Sequence, residues 1–303
     1  MKILLTGKDG QLGWELLHTL QPLGEVTGID YKEVDLTIDD QVICLLNDIK
    51  PNIIINAAAY TTVDKAESEP EKAQAVNEHS VRLLAELAER HKAAFIHFST
   101  DYVFDGRKGS PYVEDDKTNP LNTYGVTKLA GEHAVQQING AYLIIRTSWV
   151  YSTRLGGFVL RILGWARQQT RLRMVTDQIG NPTWCRMLAG ATSMLITLAG
   201  QDPYEWIGSK RGLYHLAGSG YTSRYEWAQM ILNLDPNKQE QIVNKFEPAV
   251  TSDFPSPAHR PLFSALECGK FENEFNIRLP HWKTALRMAM EKEPELIENT
   301  QED

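Results

Sequence analysis

Tyr124 and Lys128 stand four residues apart in the segment NTYGVTK, residues 122–128. At that spacing two side chains share one face of a helix. An ammonium beside a phenol favours the phenolate and so lowers the phenol's acidity constant. The pair could therefore hand over and recover a proton. Two ordinary surface residues would show the same spacing, so the pair needs support from elsewhere in the chain.

That support lies at the ends of apolar runs. The segment GKDGQLG sets Gly7, Gly10 and Gly13 between an apolar run and a helical pattern. Glycines there permit a tight turn and close backbone approach, and the helix N-terminus favours a pyrophosphate. A packing turn without a ligand would use the same glycines. Asp30 closes the second run, where a carboxylate can bond an adenosine ribose and repel a 2′-phosphate. NADH is therefore slightly favoured over NADPH, although Lys32 softens that preference. Asp35 and Leu36 are placed to cover an adenine. NAAAYT, residues 56–61, ends the third run in small residues that admit either a flat ligand or a closely packed helix. Ser99, Thr100 and Asp101 end the fourth, and the Thr100 hydroxyl could bond a carbonyl oxygen or simply cap the strand.

The elements that must carry these residues alternate. KILLT, EVTGID, NIIINAAA, AAFIHFST and AYLIIRTSWVY read as strands, with helical patterns over residues 10–20, 37–49 and 69–91 between them. Leu12, Leu16, Leu17 and Leu20 share one side of the first helix. Continuous apolar strands suit a parallel sheet covered on both faces, so the fold class is a doubly wound α/β sheet of Rossmann type with a smaller mixed α/β domain. Residues 101–120 form a long loop, and Asn122 caps the helix bearing Tyr124 and Lys128. Further on, residues 156–169, 184–200, 222–234 and 281–293 read as helices, and GLYHLAG as a strand. FEPAVTSDFPSPAHRPLFSAL, residues 246–266, reads as an extended loop, and an acidic tail, NTQED, ends the chain. The expected division is a dinucleotide-binding domain over 1–148, rejoined by parts of 180–222 and 258–277, with 149–303 mainly binding substrate.

Composition bounds the partners. Net charge is −8, from 31 Lys and Arg against 39 Asp and Glu, with no basic block, which argues against nucleic acid or an anionic membrane surface. A hydrophobic fraction of 42% without a membrane-length apolar run, three scattered cysteines and no signal-peptide pattern lead to the expectation of a reduced cytoplasmic protein.

Together these pieces resemble the extended short-chain dehydrogenase/reductase superfamily. Within it, GKDGQLGWEL, INAAAYTTVDKAESEP, STDYVFDG, NTYGVTKLAGE and RTSWVY look closely like the dTDP-4-dehydrorhamnose reductase family, whose substrate-binding half is matched by DQIGNPT and FPSPAHRP. The resemblance runs from residue 1 to about 290. It implies NAD(P)H-dependent reduction of the C4 ketone of a nucleotide sugar, dTDP-4-dehydro-L-rhamnose, in dTDP-L-rhamnose biosynthesis for cell-surface polysaccharide. Tyr124 would be the proton donor, Lys128 would lower its acidity constant and hold the nicotinamide ribose, and Thr100 would polarise the ketone. Gly7, Gly10, Gln11, Leu12, Gly13, Asp30, Asp35, Leu36, Ala59, Tyr60, Thr61 and Tyr102 would complete the cofactor site. Thr100, Asp101, Trp149 and Arg260 would meet the substrate, with Arg260 on its diphosphate.

Two residues depart from the family pattern. Tyr60 stands where a His is common. Arg186 stands where a second metal-binding Glu would accompany Glu15, so no metal and no magnesium-bridged dimer is expected, while a homodimer of another kind stays open. A reductase or epimerase of another nucleotide sugar, or a non-catalytic subunit resembling the regulatory partner of methionine adenosyltransferase, remains compatible with the same residues.

Overall fold

Successive side chains of a strand point to opposite faces of its sheet, and here both faces are apolar. In the computed structural model, which describes residues 1–291, one six-stranded parallel sheet contains Lys2–Thr6 (β1), Glu25–Ile29 (β2), Ile53–Asn56 (β3), Ala94–Thr100 (β4), Tyr142–Thr147 (β5) and Gly212–His215. The order across it is β2, β1, β3, β4, β5, Gly212–His215. Ile3, Leu5, Ile53, Ile55, Ile96 and Ile145 belong to one core with residues of helices Gln11–Thr19 (α1) and Cys185–Ala199. Leu4, Ile54, Phe95 and Ile144 belong to a second core with residues of helices Asp39–Ile49 and Ser80–His91. This is the expected doubly wound sheet. Because β1 lies between β2 and β3, the chain reverses direction across the sheet there and leaves a crevice beyond the strands' carboxyl ends.

Several local expectations are corrected. The last apolar run is not one strand: Trp149 takes a left-handed φ of 45°, and Val150–Tyr151 leaves to pair with Thr183–Trp184. The segment read as an extended loop from residue 246 begins as a strand, Lys245–Ala249, parallel to Arg171–Val175. Pro248 is tolerated because in a two-stranded sheet each strand is an edge. Short helices at Pro203–Ser209 and Gly269–Phe275 carry too few apolar positions to show a period. The helix expected over 69–91 contains a π-helical turn, Ala75–His79, which turns Asn77 inward. The acidic tail NTQED lies outside the described residues. Among the described residues, no helix is long and apolar enough to cross a membrane.

The helix Thr123–Gln136 carries Tyr124 and Lys128, and its seating decides where they point. Asn122 Oδ1 accepts the Gly125 N–H at 2.8 Å, the expected cap. Gly125 and Gly131 let the helix approach so closely that a Cβ on either would lie 2.3 Å from the Tyr102 carbonyl oxygen or 2.2 Å from that of Asn77. A buried ion pair completes the seat: Arg146 on β5 donates Nε to Glu132 Oε1 at 2.9 Å and Nη2 to Oε2 at 2.7 Å. Ser99 Oγ donates to the same carboxylate at 2.5 Å. Breaking a buried pair by removing one partner strands the other charge, which typically costs about 3–5 kcal/mol. Arg146→Met should therefore lower unfolding stability by about that amount in urea titration, and a loss below about 1 kcal/mol would contradict the anchoring role.

Candidate active site

Each strand of the sheet's centre delivers its last residues to one cavity of about 720 Å³. Gly7, Gly10, Gln11 and Leu12 line one end of it, with Asp30, Asp35 and Leu36; Ala59, Tyr60 and Thr61 lie along it; and Thr100, Asp101, Tyr124, Lys128 and Trp149 line the other end. The structure therefore brings together most of the residues singled out from the sequence. Gly13, Tyr102 and Arg260 are not in the lining.

The glycine turn is built for backbone approach. Gly7 has φ 77°, and a Cβ there would strike the Ala58 amide nitrogen at 2.6 Å. Gly13 does something else: its Cβ would lie 1.8 Å from the Gly7 carbonyl oxygen, so it permits helix and strand to touch. The N-terminus of α1 is capped by Gly10 with no side-chain hydrogen bond. Its first N–H groups thus lack a side-chain acceptor and favour an anion. Gln11 Oε1 is buried without a partner beside them. An open helix end and a glycine cradle suit the pyrophosphate of a dinucleotide.

At the far end of this lobe Asp30 accepts the Tyr31 and Asp9 backbone N–H groups at 2.7 and 3.1 Å. Lys32, expected to soften the cofactor preference, is exposed. The lysine held nearby is Lys8, paired with Glu33, whose other oxygen accepts the Asp30 N–H at 2.9 Å. That arrangement was not visible in the sequence, because it depends on how the turn after β2 folds back.

At the inner end, burial pushes the Tyr124 hydroxyl well above the usual phenol range, and a hydrogen bond from Thr100 offsets this only in part. Tyr102 stands edge-on to Tyr124, ring centroids 5.8 Å apart. Lys128 is buried, and burial brings its amine down to about 8. Its Nζ donates to the Phe98 carbonyl at 2.7 Å and lies 3.2 Å from His97 Nε2. In this structure the Lys128 amine is turned to β4, and desolvation rather than Lys128 dominates the phenol. A phenol held protonated is suited to giving a proton up to a forming alkoxide.

Asp101 is buried and pushed up to about 6 by that burial. Its oxygens accept Ser148 Oγ at 3.0 Å, Ser264 Oγ at 2.5 Å and Thr100 Oγ1 at 3.2 Å, so it joins three chain segments and orients Thr100. Arg260 donates to Asp64 Oδ2 at 2.7 Å and to Ser256 Oγ at 2.7 Å. Sequence reasoning missed a second guanidinium: Arg224 lies over Trp149, 3.6 Å from the ring centroid, and interacts with Asp101 and Tyr102. Burial brings it down to about 10. Nothing in SRYEW signals this role, because it depends on Trp149 being turned by its left-handed backbone. Asn77 was also missed: its amide bonds the Tyr60 N–H at 2.9 Å and Thr127 Oγ1 at 3.0 Å, joining the Ala57–Thr61 stretch to the Tyr124 helix.

Glu15, on α1, accepts Arg186 Nε at 3.2 Å. In place of a carboxylate pair for a cation, this chain has an internal ion pair. Among the described residues no cluster of three His, Cys, Asp or Glu side chains could hold a metal ion.

Known proteins resemble this chain over nearly its whole length. The family described as the RmlD substrate binding domain matches residues 1–294. The dTDP-4-dehydrorhamnose reductase of Escherichia coli strain K12 is 41% identical over 295 residues, 96% of this chain and 97% of that protein. The crystal structure of such a reductase from Clostridium acetobutylicum superposes with a TM-score of 0.86 at 35% identity, covering 96% and 98% of the two chains. That of Bacillus anthracis, in complex with NADP, gives 0.84 at 32% identity, covering 95% and 97%.

The indole of Trp149 is held against Gly180, where an added Cβ would lie 2.5 Å from the ring. Overpacking of this kind costs about 1–3 kcal/mol. Gly180→Ala should lose that much stability and shift the tryptophan emission, and unchanged emission and stability would contradict the tight seat assigned to Trp149.

Proposed function

The chain belongs to the family described as the RmlD substrate binding domain, and from that membership and the site's geometry we propose that it reduces dTDP-4-dehydro-L-rhamnose to dTDP-L-rhamnose with NADH or NADPH. The observation that carries this reading is the convergence of an open helix N-terminus, the Thr100 hydroxyl and a protonated Tyr124 on one cavity.

The cofactor supplies the hydride that reaches C4. The chain's part is to bind, orient and protonate. Gly7, Gly10, Gln11 and Leu12 would hold the pyrophosphate against α1, Asp30 the adenosine ribose, and Asp35 and Leu36 the adenine side. Ala59, Tyr60 and Thr61 would flank the cofactor, and Lys128 would hold its nicotinamide ribose. Tyr124 would give its proton to the C4 oxygen, with the Thr100 hydroxyl donating to the same oxygen. Trp149 would cover the apolar face of the sugar. We place the diphosphate near Arg224 and Arg260, since guanidinium groups match phosphate oxygens with parallel hydrogen bonds. Asp101 then acts through Thr100, and Tyr102 through Tyr124.

In this reading residues 1–148, with the returning strand Gly212–His215, bind the cofactor, and most of the remainder binds substrate. The carboxylate of Asp30 favours NADH without excluding NADPH. Cys44, Cys185 and Cys268 are free thiols, which fits a cytoplasmic enzyme. A homodimer, if formed, would not be bridged by a metal at Glu15, because Arg186 takes the cation's place.

Purified protein mixed with dTDP-4-dehydro-L-rhamnose should oxidise one NADH per dTDP-L-rhamnose formed. Tyr124→Phe should lower turnover by roughly 10²–10⁴-fold, the usual contribution of a general acid, with NADH affinity little changed. Near-normal turnover in Tyr124→Phe would refute the assigned proton donor. Sugar conversion without net NADH oxidation would instead identify an epimerase.

A further inference from the structure

Beneath the cavity a ladder of buried polar groups runs through the ends of β1, β3 and β4 and is not used by the reaction as described. Thr6 Oγ1 donates to Asn56 Oδ1 at 2.6 Å, and the Ala58 backbone N–H donates to the same oxygen at 3.2 Å. A backbone N–H can only donate, so the Asn56 amide has one orientation, with Nδ2 facing His97 Nδ1 at 3.1 Å. Nδ1 must then accept, and a neutral imidazole carries its single proton on Nε2. Burial holds His97 well below the ordinary imidazole range, so the neutral ring is the relevant one.

His97 Nε2 lies 3.2 Å from Lys128 Nζ, which also donates to the Phe98 carbonyl at 2.7 Å. An ammonium has three donors and no lone pair, so it cannot accept from Nε2–H. The other tautomer would receive the ammonium but would set Nδ1–H against the Asn56 amide hydrogens. Either way, a proton on Lys128 removes one hydrogen bond from the ladder, whereas a neutral amine satisfies every member.

We propose that Asn56 and His97 are positioning residues that favour the uncharged form of Lys128 against β4, and that NAD(P)H binding draws Lys128 off this ladder and is thereby coupled to proton uptake at its Nζ. This inference rests on the reductase reading and specifies the state of its lysine. Of the groups facing Lys128, one opposes this state. Glu132, one turn along the same helix, favours the ammonium, but its carboxylate is already engaged by Arg146 and Ser99. Tyr124 on the same helix stays protonated and brings no charge. Desolvation is the leading influence on the amine and acts in the same direction as the ladder.

Two substitutions separate the ladder from simple burial. His97→Gln offers an amide oxygen to the lysine, and Asn56→Asp offers an acceptor to Nδ1–H, freeing Nε2 to receive an ammonium. Both keep polar side chains of similar size in place, and both should raise the Lys128 acidity constant. The direct readout is NMR titration of the lysine side chains in the free protein, with Lys128→Met identifying the resonance. Each variant is expected to move the Lys128 midpoint up by about one pH unit or more, well outside measurement error. The second readout is NADH-binding calorimetry in buffers of different ionisation enthalpy, near the wild-type midpoint. The wild type should take up a fraction of a proton per NADH, and each variant at most half as much.

An unchanged Lys128 midpoint in both variants overturns the proposal. So does wild-type binding whose heat is independent of buffer, a result that needs no variant to fold. Should NADH fail to bind at all, the reductase reading fails, while the titration of the free protein still decides whether the ladder controls Lys128.

Discussion

The site depends on one packing constraint, the seat of the Thr123–Gln136 helix against the carboxyl end of β4. Lys128 and Glu132 lie one turn apart on this helix and are both buried. Burying two ionisable side chains is tolerable only where each finds partners. Glu132 finds Arg146 and Ser99, and Lys128 finds the Phe98 carbonyl and His97. These contacts leave the helix little freedom to slide or rotate. Gly125 and Gly131 then set how close it lies. Tyr124, one turn before Lys128, is directed into the cavity as a result.

The same logic explains why protonation states are separated at the inner end. Dehydration disfavours charge, and it acts on phenol, carboxyl and amine alike. It keeps the Tyr124 proton in place, raises Asp101 to about 6 and lowers Lys128 to about 8. A reduction that forms an alkoxide needs a proton donor that is still protonated, so a dry pocket serves the chemistry. At the outer end, charge lies nearer the surface. Asp30 there binds backbone N–H groups, and Lys8 and Glu33 neutralise each other.

Much of the first half was legible because parallel strands and their covering helices follow simple apolar rules. Gly7, Gly10, Asp30, Thr100 and Tyr124 could be picked out since each ends a strand or opens a helix, where the sheet's geometry gathers ligands, and Lys128 by its one-turn spacing from Tyr124. Arg224 and Asn77 could not. Each reaches the site through a backbone irregularity, the left-handed turn at Trp149 and the π-helical turn at Ala75–His79, that local pattern does not encode. The strand containing Pro248 was hidden for a related reason, since its pairing partner is more than seventy residues away. The direction of the Lys128 side chain was also beyond sequence spacing, which places two residues on one face but says nothing of what the strand beneath offers them.

The most direct test of the central claim is to follow the hydride itself. With NADH dideuterated at the nicotinamide C4 and dTDP-4-dehydro-L-rhamnose as substrate, the product should be dTDP-L-rhamnose carrying one deuterium at C4 of the sugar. A product formed without deuterium at that carbon would contradict the account, since the hydride would then have come from elsewhere.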